Sequence, residues 1–305
     1  MNFTAKDVAE LRAKTGCGMM DCKKALSESN GDMEAATEYL RKKGLAAQEK
    51  KASRIAAEGV AYAKVEGKVG VVIEVNAETD FVAKNDKFKA FVEACANAVI
   101  KNAPADVEAL LACTAEDGET IDAKLKDAIL VIGENIKIRR FERIEGDCAA
   151  YVHGGGTIGV LVKFDADENA SGTDALVACG KDVAMQVAAM NPAYLDEASV
   201  PAEAFEHEKQ IQIEIMKNDP KMASKPQAVL EKIVAGKMGK FYKENCLVDQ
   251  AFVKDSGKSV KQYVDECAKS VGGTMKVSQF VRFEKGEGLE KRQDNFAEEI
   301  ANMVK

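Results

Sequence analysis

Two segments of this chain occur twice, and a duplicated segment has to build the same local structure twice. Lys68-Val69-Gly70-Val71-Val72-Ile73-Glu74-Val75 aligns without gaps on Thr157-Ile158-Gly159-Val160-Leu161-Val162-Lys163-Phe164, both β-branched runs introduced by a glycine turn. Gly133-Glu134-Asn135-Ile136-Lys137-Ile138-Arg139-Arg140-Phe141-Glu142-Arg143-Ile144-Glu145 likewise matches Gly272-Gly273-Thr274-Met275-Lys276-Val277-Ser278-Gln279-Phe280-Val281-Arg282-Phe283-Glu284. Apolar stripes at helical spacing lie between the paired motifs. The first copy carries Phe88, Phe91, Val92, Cys95, Val99 and then Ile121, Leu125, Ile129; the second carries Leu176, Val183, Val187 and then Val260, Val264, Cys267. Each copy therefore reads strand, strand, helix, helix, strand, an antiparallel α+β unit with helices covering one sheet face. The copies span 60–146 and, in two pieces, 147–190 and 260–285, with an insertion over 191–259.

Ahead of the duplication lies a helical module, residues 1–45. Thr4 followed by Asp7 has the spacing of a capping box, and Val8 and Leu11 continue at helical spacing. Thr15-Gly16-Cys17-Gly18 breaks that helix, a second runs over 19–26, and Asn30-Gly31 breaks the chain again before Asp32 caps a third. The third helix shows Met33, Ala36 and Leu40 on one side, Arg41-Lys42-Lys43 in its last turn and Gly44 as its stop. So few residues make a marginal core, so the module reads as a docking surface rather than an enclosed site. Residues 46–59, rich in Ala, Lys and Glu, read as a semi-rigid helical linker.

The insertion reads as an antiparallel helical hairpin. Leu230, Ile233, Val234, Met238 and Phe241 form a stripe behind Pro226, and Ala204, Glu208, Ile211 and Ile215 form its partner, with Asn218-Asp219-Pro220 as the turn. Ile211, Ile213 and Ile215 also alternate like a strand, but the Glu and Gln around them favour helix. The hairpin suits either a homodimer, giving a 2:2 complex, or contact with a partner. Residues 286–305 form a C-terminal module, with Phe296, Ile300 and Met303 on one face of a last short helix.

The chain's chemistry is sparse. A formal charge of −7 argues against life on phosphate backbones. Eight cysteines with no C-x-x-C pair fit neither a zinc site nor a disulfide framework and read as reduced thiols. The start lacks an apolar signal core and no run is long enough to span a membrane, so the expected location is the cytoplasm. Gly154-Gly155-Gly156-Thr157-Ile158-Gly159 formally satisfies G-x-G-x-x-G, yet it opens a strand where a dinucleotide site would open a helix, and it reads as a hairpin turn. Only two histidines are available, His153 beside that turn and His207 among the hairpin's charges; His153 reads equally as a contact residue and as an ordinary loop residue. Glu74, Glu78 and Asp80 have no accompanying nucleophile. Thr79-Asp80 reads as a turn or cap before the next helix, and the pattern leaves open whether Phe81 enters the core or stands exposed as an anchor.

Three segments in register carry a family resemblance: Thr15-Gly16-Cys17-Gly18-Met19-Met20-Asp21-Cys22-Lys23-Lys24-Ala25-Leu26, Glu78-Thr79-Asp80-Phe81-Val82-Ala83-Lys84-Asn85 and Ile132-Gly133-Glu134-Asn135-Ile136. They resemble the signature segments of the elongation factor Ts family. His153-Gly154, Gly236-Lys237-Met238 and Arg282-Phe283-Glu284-Lys285-Gly286-Glu287-Gly288 continue the likeness over essentially the whole chain.

The resemblance implies an α+β protein with a ubiquitin-associated-like N-terminal module, two related core subdomains, an inserted coiled-coil hairpin and a C-terminal helix. It implies a non-enzymatic guanine-nucleotide exchange factor for the GTPase elongation factor Tu, without cofactor, metal or nucleic-acid ligand of its own. By the same resemblance, Thr79, Asp80, Phe81 and Val82 disturb magnesium binding in the partner, with Asp80 and Phe81 reaching the helix that helps order the ion. Lys23 serves the N-terminal contact, Ile132, Gly133 and His153 line core contacts, and Val253 adds another. Lys254 stands where the pattern has a methionine, and Cys17 where alanine is common. The alternative is a ubiquitin-associated-like adaptor without exchange activity; a nucleotide-dependent enzyme using the Gly154 turn is a third reading.

Overall fold

The computed structural model describes residues 3–219 and 225–291. The fold is α+β, and its sheets are antiparallel. Strands β1 (Glu58–Glu66), β2 (Val69–Ala77) and β3 (Lys137–Glu145) form one sheet in that order; β4 (Asp147–His153), β5 (Ile158–Ala166) and β8 (Met275–Glu284) form a second. The duplicated sequences are β2 with β5 and β3 with β8, and the likeness extends to their defects. The register of β2 against β3 shifts between Glu74 and Val75, and that of β5 against β8 shifts at the aligned pair Lys163 and Phe164. A bulge reproduced at the same site in both sheets belongs to the repeated unit.

The helices repeat as well. After β2, α4 (Asp86–Asn102) is capped by Asn85, whose carboxamide accepts the N–H groups of Lys87 and Phe88. After β5, α7 (Asp174–Met190) is capped by the Thr173 hydroxyl. Both end on a non-glycine residue in the left-handed region, Ala103 at φ 47° and Asn191 at φ 45°. Following the short α5 (Val107–Ala112), α6 (Ile121–Ile132) begins on Thr120; its counterpart α10 (Val260–Ser270) begins on Ser259, which with Gln262 completes a capping box. Each helix pair lies on the outer face of its own sheet. Val71, Ile73, Val75, Phe88, Val92 and Ile129 meet in the first core, and Val160, Val162, Phe164, Val183 and Val264 in the second. Full burial of Phe88 alone is worth about 2–3 kcal/mol.

The inner faces of the sheets pack on each other through Ala61, Ala63, Val72, Ile144, Cys148, Leu161 and Phe283, so the layers run helix, sheet, sheet, helix. The repeat pattern suggested only one covered face; the second cover explains why β2 is buried almost throughout rather than in alternation. The contact is reciprocal. A Cβ on Gly70 would lie 2.5 Å from Leu161 Cδ1, and a Cβ on the aligned Gly159 would lie 3.2 Å from Val72 Cγ2 and 3.0 Å from the Ala61 carbonyl carbon. Gly70 aligns on Gly159 and Val72 on Leu161, so the two sheets meet about a local pseudo-twofold.

At the front, α1 (Ala5–Thr15), α2 (Met19–Glu28) and α3 (Met33–Lys51) enclose a small core of Val8, Leu11, Cys22, Leu26, Ala36 and Leu40. The capping box of Thr4 and Asp7 is formed, and Asp32 caps α3. The third helix does not stop at Gly44. It continues to Lys51 and crosses α6 at Gly44, where the Lys126 carbonyl oxygen lies 3.4 Å from the position a Cβ would take, an ordinary contact, so the glycine neither stops the helix nor is required by the crossing. The expected linker helix is thereby the last turns of α3, and residues 52–57 are non-helical.

Within the insertion, α8 (Ala202–Asn218) and α9 (Gln227–Asn245) pair through Phe205, Ile213, Met216, Leu230, Val234, Met238 and Phe241. The helix is as expected, but its packing stripe is not: Ile211 and Ile215 face outward, and Phe205, Ile213 and Met216 make the seam. The chain returns through a ribbon of β6 (Ala251–Phe252) and β7 (Asp255–Ser259). Pro220 of the expected turn and the tail residues Phe296, Ile300 and Met303 lie outside the described residues. The eight cysteines are free thiols, and six of them are buried.

Candidate functional site: a braced loop that presents Phe81

Beyond Ala77 the chain leaves the first sheet, turns through Glu78, Thr79, Asp80 and Phe81, and enters a single 3-10 turn, Val82–Lys84, before α4. Val82 is buried in the first core, whereas Phe81 is 76% exposed. The two apolar neighbours thus divide the work: Val82 anchors the loop to its own protein and Phe81 faces out. Phe81 has ordinary helical dihedrals, φ −62° and ψ −33°, so its exposure costs no backbone strain. Ile55, also exposed, borders with Phe81 a depression of about 340 Å³ that Ala57, Glu58, Glu78, Thr79, Asp80 and Lys291 complete.

The loop's backbone is held by side chains from the turn between α6 and β3. Gly133, at φ 89°, ends α6 and turns the chain so that Glu134 points at the loop. The Glu134 carboxylate accepts the N–H groups of Glu78 at 3.0 Å and Thr79 at 2.9 Å and the Thr79 hydroxyl at 2.6 Å. In return the Glu78 carboxylate accepts the Asn135 N–H at 2.6 Å, and the Asn135 carboxamide donates to the Arg54 carbonyl at 2.7 Å. Bonds of this kind to a charged acceptor are the strong ones, so the loop's backbone is held from within the fold. Beneath it, burial and the neighbouring Arg54 pull the Lys51 ammonium pKa down, against the attraction of Glu78 and Glu134.

The structure brings Thr79, Asp80, Phe81 and Val82 together with Ile132 and Gly133 through this brace. Gly133 is exposed, and Ile132 packs against the rim of the first core. His153 reaches the same end of the molecule. Its turn meets β1 where the Ala61 N–H donates to the Gly156 carbonyl at 2.8 Å, near the Glu58 that pairs with Ala77. The Gly154 to Gly156 stretch is a hairpin turn between β4 and β5, with φ of 57°, 66° and 104°, and it opens a strand. The exposed His153 ring takes part in a 3.1 Å hydrogen bond with the Tyr151 hydroxyl.

Lys23 and Val253 stand elsewhere. Lys23 is exposed on α2 beside the exposed Met19 and Met20, on the module that packs over α6. Val253 is exposed at the tip of the β6–β7 ribbon, its N–H bound to Gln186 of α7 at 2.8 Å, in the opposite outer layer. Glu134, which braces the loop, was not singled out by the sequence pattern. A usable signal was present, since the repeat places Gly273 where the first copy has Glu134.

The carboxylates near the loop do not converge. Glu74 is fully buried and accepts hydrogen bonds from Asn76, Arg139, Arg140 and the Gly286 N–H. Burial alone would raise its pKa, but these donors together hold it below the usual carboxylate range. It thereby pins the segment after β8 to the first sheet, helped by Arg139 on the Glu287 carbonyl at 2.6 Å. Glu78 is occupied by Asn135, and Asp80 is exposed.

An exposed ring on a hydrogen-bonded loop has the form of an anchor for another protein's surface. The family model described as Elongation factor TS matches residues 78–287, from the first residue of this loop to the glutamate that Arg139 holds. The match covers well over half of the 305 residues, and the chain belongs to the elongation factor Ts family of translation elongation factors.

Proposed function

We propose that this protein is a guanine-nucleotide exchange factor for the GTPase elongation factor Tu. The observation that carries this reading is Phe81, exposed on a loop whose backbone is fixed from within. Tight nucleotide binding by such a GTPase rests on backbone N–H groups and a magnesium ion gripping the phosphates. Asp80 and Phe81, pressed against the partner's magnesium-ordering helix, displace the ion's ligands, and GDP leaves without any bond being made or broken in this chain. Linkage makes the effect reciprocal: the free energy taken from nucleotide binding is taken from factor binding when GTP arrives, and the factor is released.

On this reading residues 1–45 dock the GTPase domain through Lys23, the core reaches the nucleotide side through Ile132, Gly133 and His153, and Val253 touches the partner's C-terminal barrel. The two α+β units act as one rigid body that carries the loop, and the factor itself needs neither cofactor nor active site. Stopped-flow release of fluorescently labelled GDP from elongation factor Tu tests it. Catalytic amounts of this protein accelerate release, and Phe81→Ala removes on the order of 2 kcal/mol of that effect, as loss of an aromatic anchor does. A chain that binds the partner and leaves release unchanged is an adaptor, and the exchange reading falls.

A further inference from the structure

The duplicated core contains its own control for the braced loop. Glu78 aligns on Asp167, and Asn135 on Thr274, and the bond between them is present twice. The Asn135 N–H donates to Glu78 at 2.6 Å, and the Thr274 N–H donates to Asp167 at 2.8 Å. That carboxylate brace belongs to the repeated unit and cannot explain why only the first copy carries an exposed aromatic.

The copies part at the next position. Where the first has Glu134, the second has Gly273, and its loop closes over that glycine: a Cβ there would lie 2.6 Å from Asp167 Oδ1 and 2.9 Å from the Ala170 nitrogen. The Asp167 N–H then donates to the Thr274 carbonyl at 3.0 Å, and Ala170, buried, donates to the Asp167 carboxylate at 3.1 Å. The first copy carries a side chain at that position, for which the closed arrangement leaves no room. The N–H corresponding to that of Asp167, on Glu78, turns to the Glu134 carboxylate, which also takes the N–H and hydroxyl of Thr79. The chain beyond runs outward through Asp80 to Phe81.

We propose that Glu134 is the positioning residue of the Phe81 loop: its carboxylate both excludes the closed arrangement seen in the second copy and holds the open one that presents Phe81. This rests on the exchange reading above, in which Phe81 is the group that acts on the partner. Glu134 touches neither nucleotide nor magnesium and works through Phe81.

The test uses the full chain with elongation factor Tu and labelled GDP, comparing Glu134→Gly, Glu134→Gln, Phe81→Ala and the double variant Phe81→Ala/Glu134→Gly. Glu134→Gly, which installs the second copy's residue, slows stimulated release about tenfold, and Glu134→Gln, which keeps one acceptor oxygen, slows it less. The double variant is no slower than Phe81→Ala, because a residue that acts through Phe81 has nothing left to position. Amide exchange at Thr79 rises in both Glu134 variants while exchange in β2 stays at the parent level, which separates local release from unfolding.

Parent-like release by both Glu134 variants, alongside a slow Phe81→Ala, overturns the positioning role and leaves the exchange reading standing. A double variant slower than Phe81→Ala by the full Glu134 factor also overturns it, since Glu134 then acts independently. Parent-like release by Phe81→Ala removes the exchange reading and this inference together.

Discussion

The contact between the two sheets gives a quantitative test of the pseudo-twofold. Gly70 and Gly159 both have backbone angles that an L-residue can adopt, so their need for glycine comes from close approach, not from dihedral strain. Replacing either by alanine stiffens the unfolded chain, a gain of about 0.4–1 kcal/mol, and inserts a methyl where none fits, a loss of about 1–3 kcal/mol. The neighbours differ in how they can yield. At Gly70 the shortest contact is 2.5 Å to Leu161 Cδ1, the end of a side chain, with Cys148 Cβ at 3.0 Å beside it; at Gly159 the shortest is 3.0–3.1 Å to the backbone of Ala61. Leu161 can rotate away, whereas neither Cys148 Cβ nor the Ala61 backbone can. Each substitution is therefore expected to cost about 1–2 kcal/mol net. Leu161→Ala, at a fully buried position, costs about 2–5 kcal/mol alone. The Gly70→Ala/Leu161→Ala pair should lose at least 0.5 kcal/mol less than the sum, because the added methyl occupies part of the vacated space. Urea unfolding followed by far-UV circular dichroism measures all four. Strict additivity of the pair, or a Gly159→Ala variant as stable as the parent, would refute the packing argument.

Other consequences are simpler. Ala103 ends α4 in the left-handed region, so Ala103→Gly is expected to stabilise the fold by about 1 kcal/mol; a lower urea midpoint would count against it. Glu74 has a folded pKa below its unfolded value, so its stabilising contribution is present above the ordinary carboxylate pKa and is lost as pH falls through the depressed one. Glu74→Gln should accordingly lose stability at neutral pH and show a flatter acid limb than the parent, while parallel limbs would show that another group titrates.

How much of this was legible depended on how local the cause was. The repeat could be read directly, because a β-branched run behind a glycine appears twice and strands follow that pattern. Helix starts at Thr4 and Asp32 could be read because a cap and its helix are adjacent in sequence. Gly44 misled for the converse reason: a glycine after a basic turn looks like a stop, and the packing of α3 along α6, brought there from far along the chain, is not written in the local sequence. Ile211 and Ile215 misled because hydropathy cannot say which of two apolar stripes faces the partner helix. The second cover on the sheets had a visible trace in Val69-Gly70-Val71-Val72-Ile73, which does not alternate.

The site divides the same way. The residues of the loop were singled out, but whether Phe81 points in or out depended on Val82 taking the core position beside it. Glu134 acts on a loop more than fifty positions away, and nothing local to it announces that role. Comparison of the two copies did contain the clue, in the replacement of glutamate by glycine.

The central claim is that an exposed, braced Phe81 acts on a partner GTPase to free its nucleotide. The most direct measurement is the rate of labelled GDP release from elongation factor Tu as this protein and its Phe81→Ala variant are titrated in, with binding of each followed separately. The account predicts strong acceleration by the parent and about thirtyfold less by Phe81→Ala, equivalent to ~2 kcal/mol. Equal acceleration by the two proteins, or none by the parent despite binding, would contradict it.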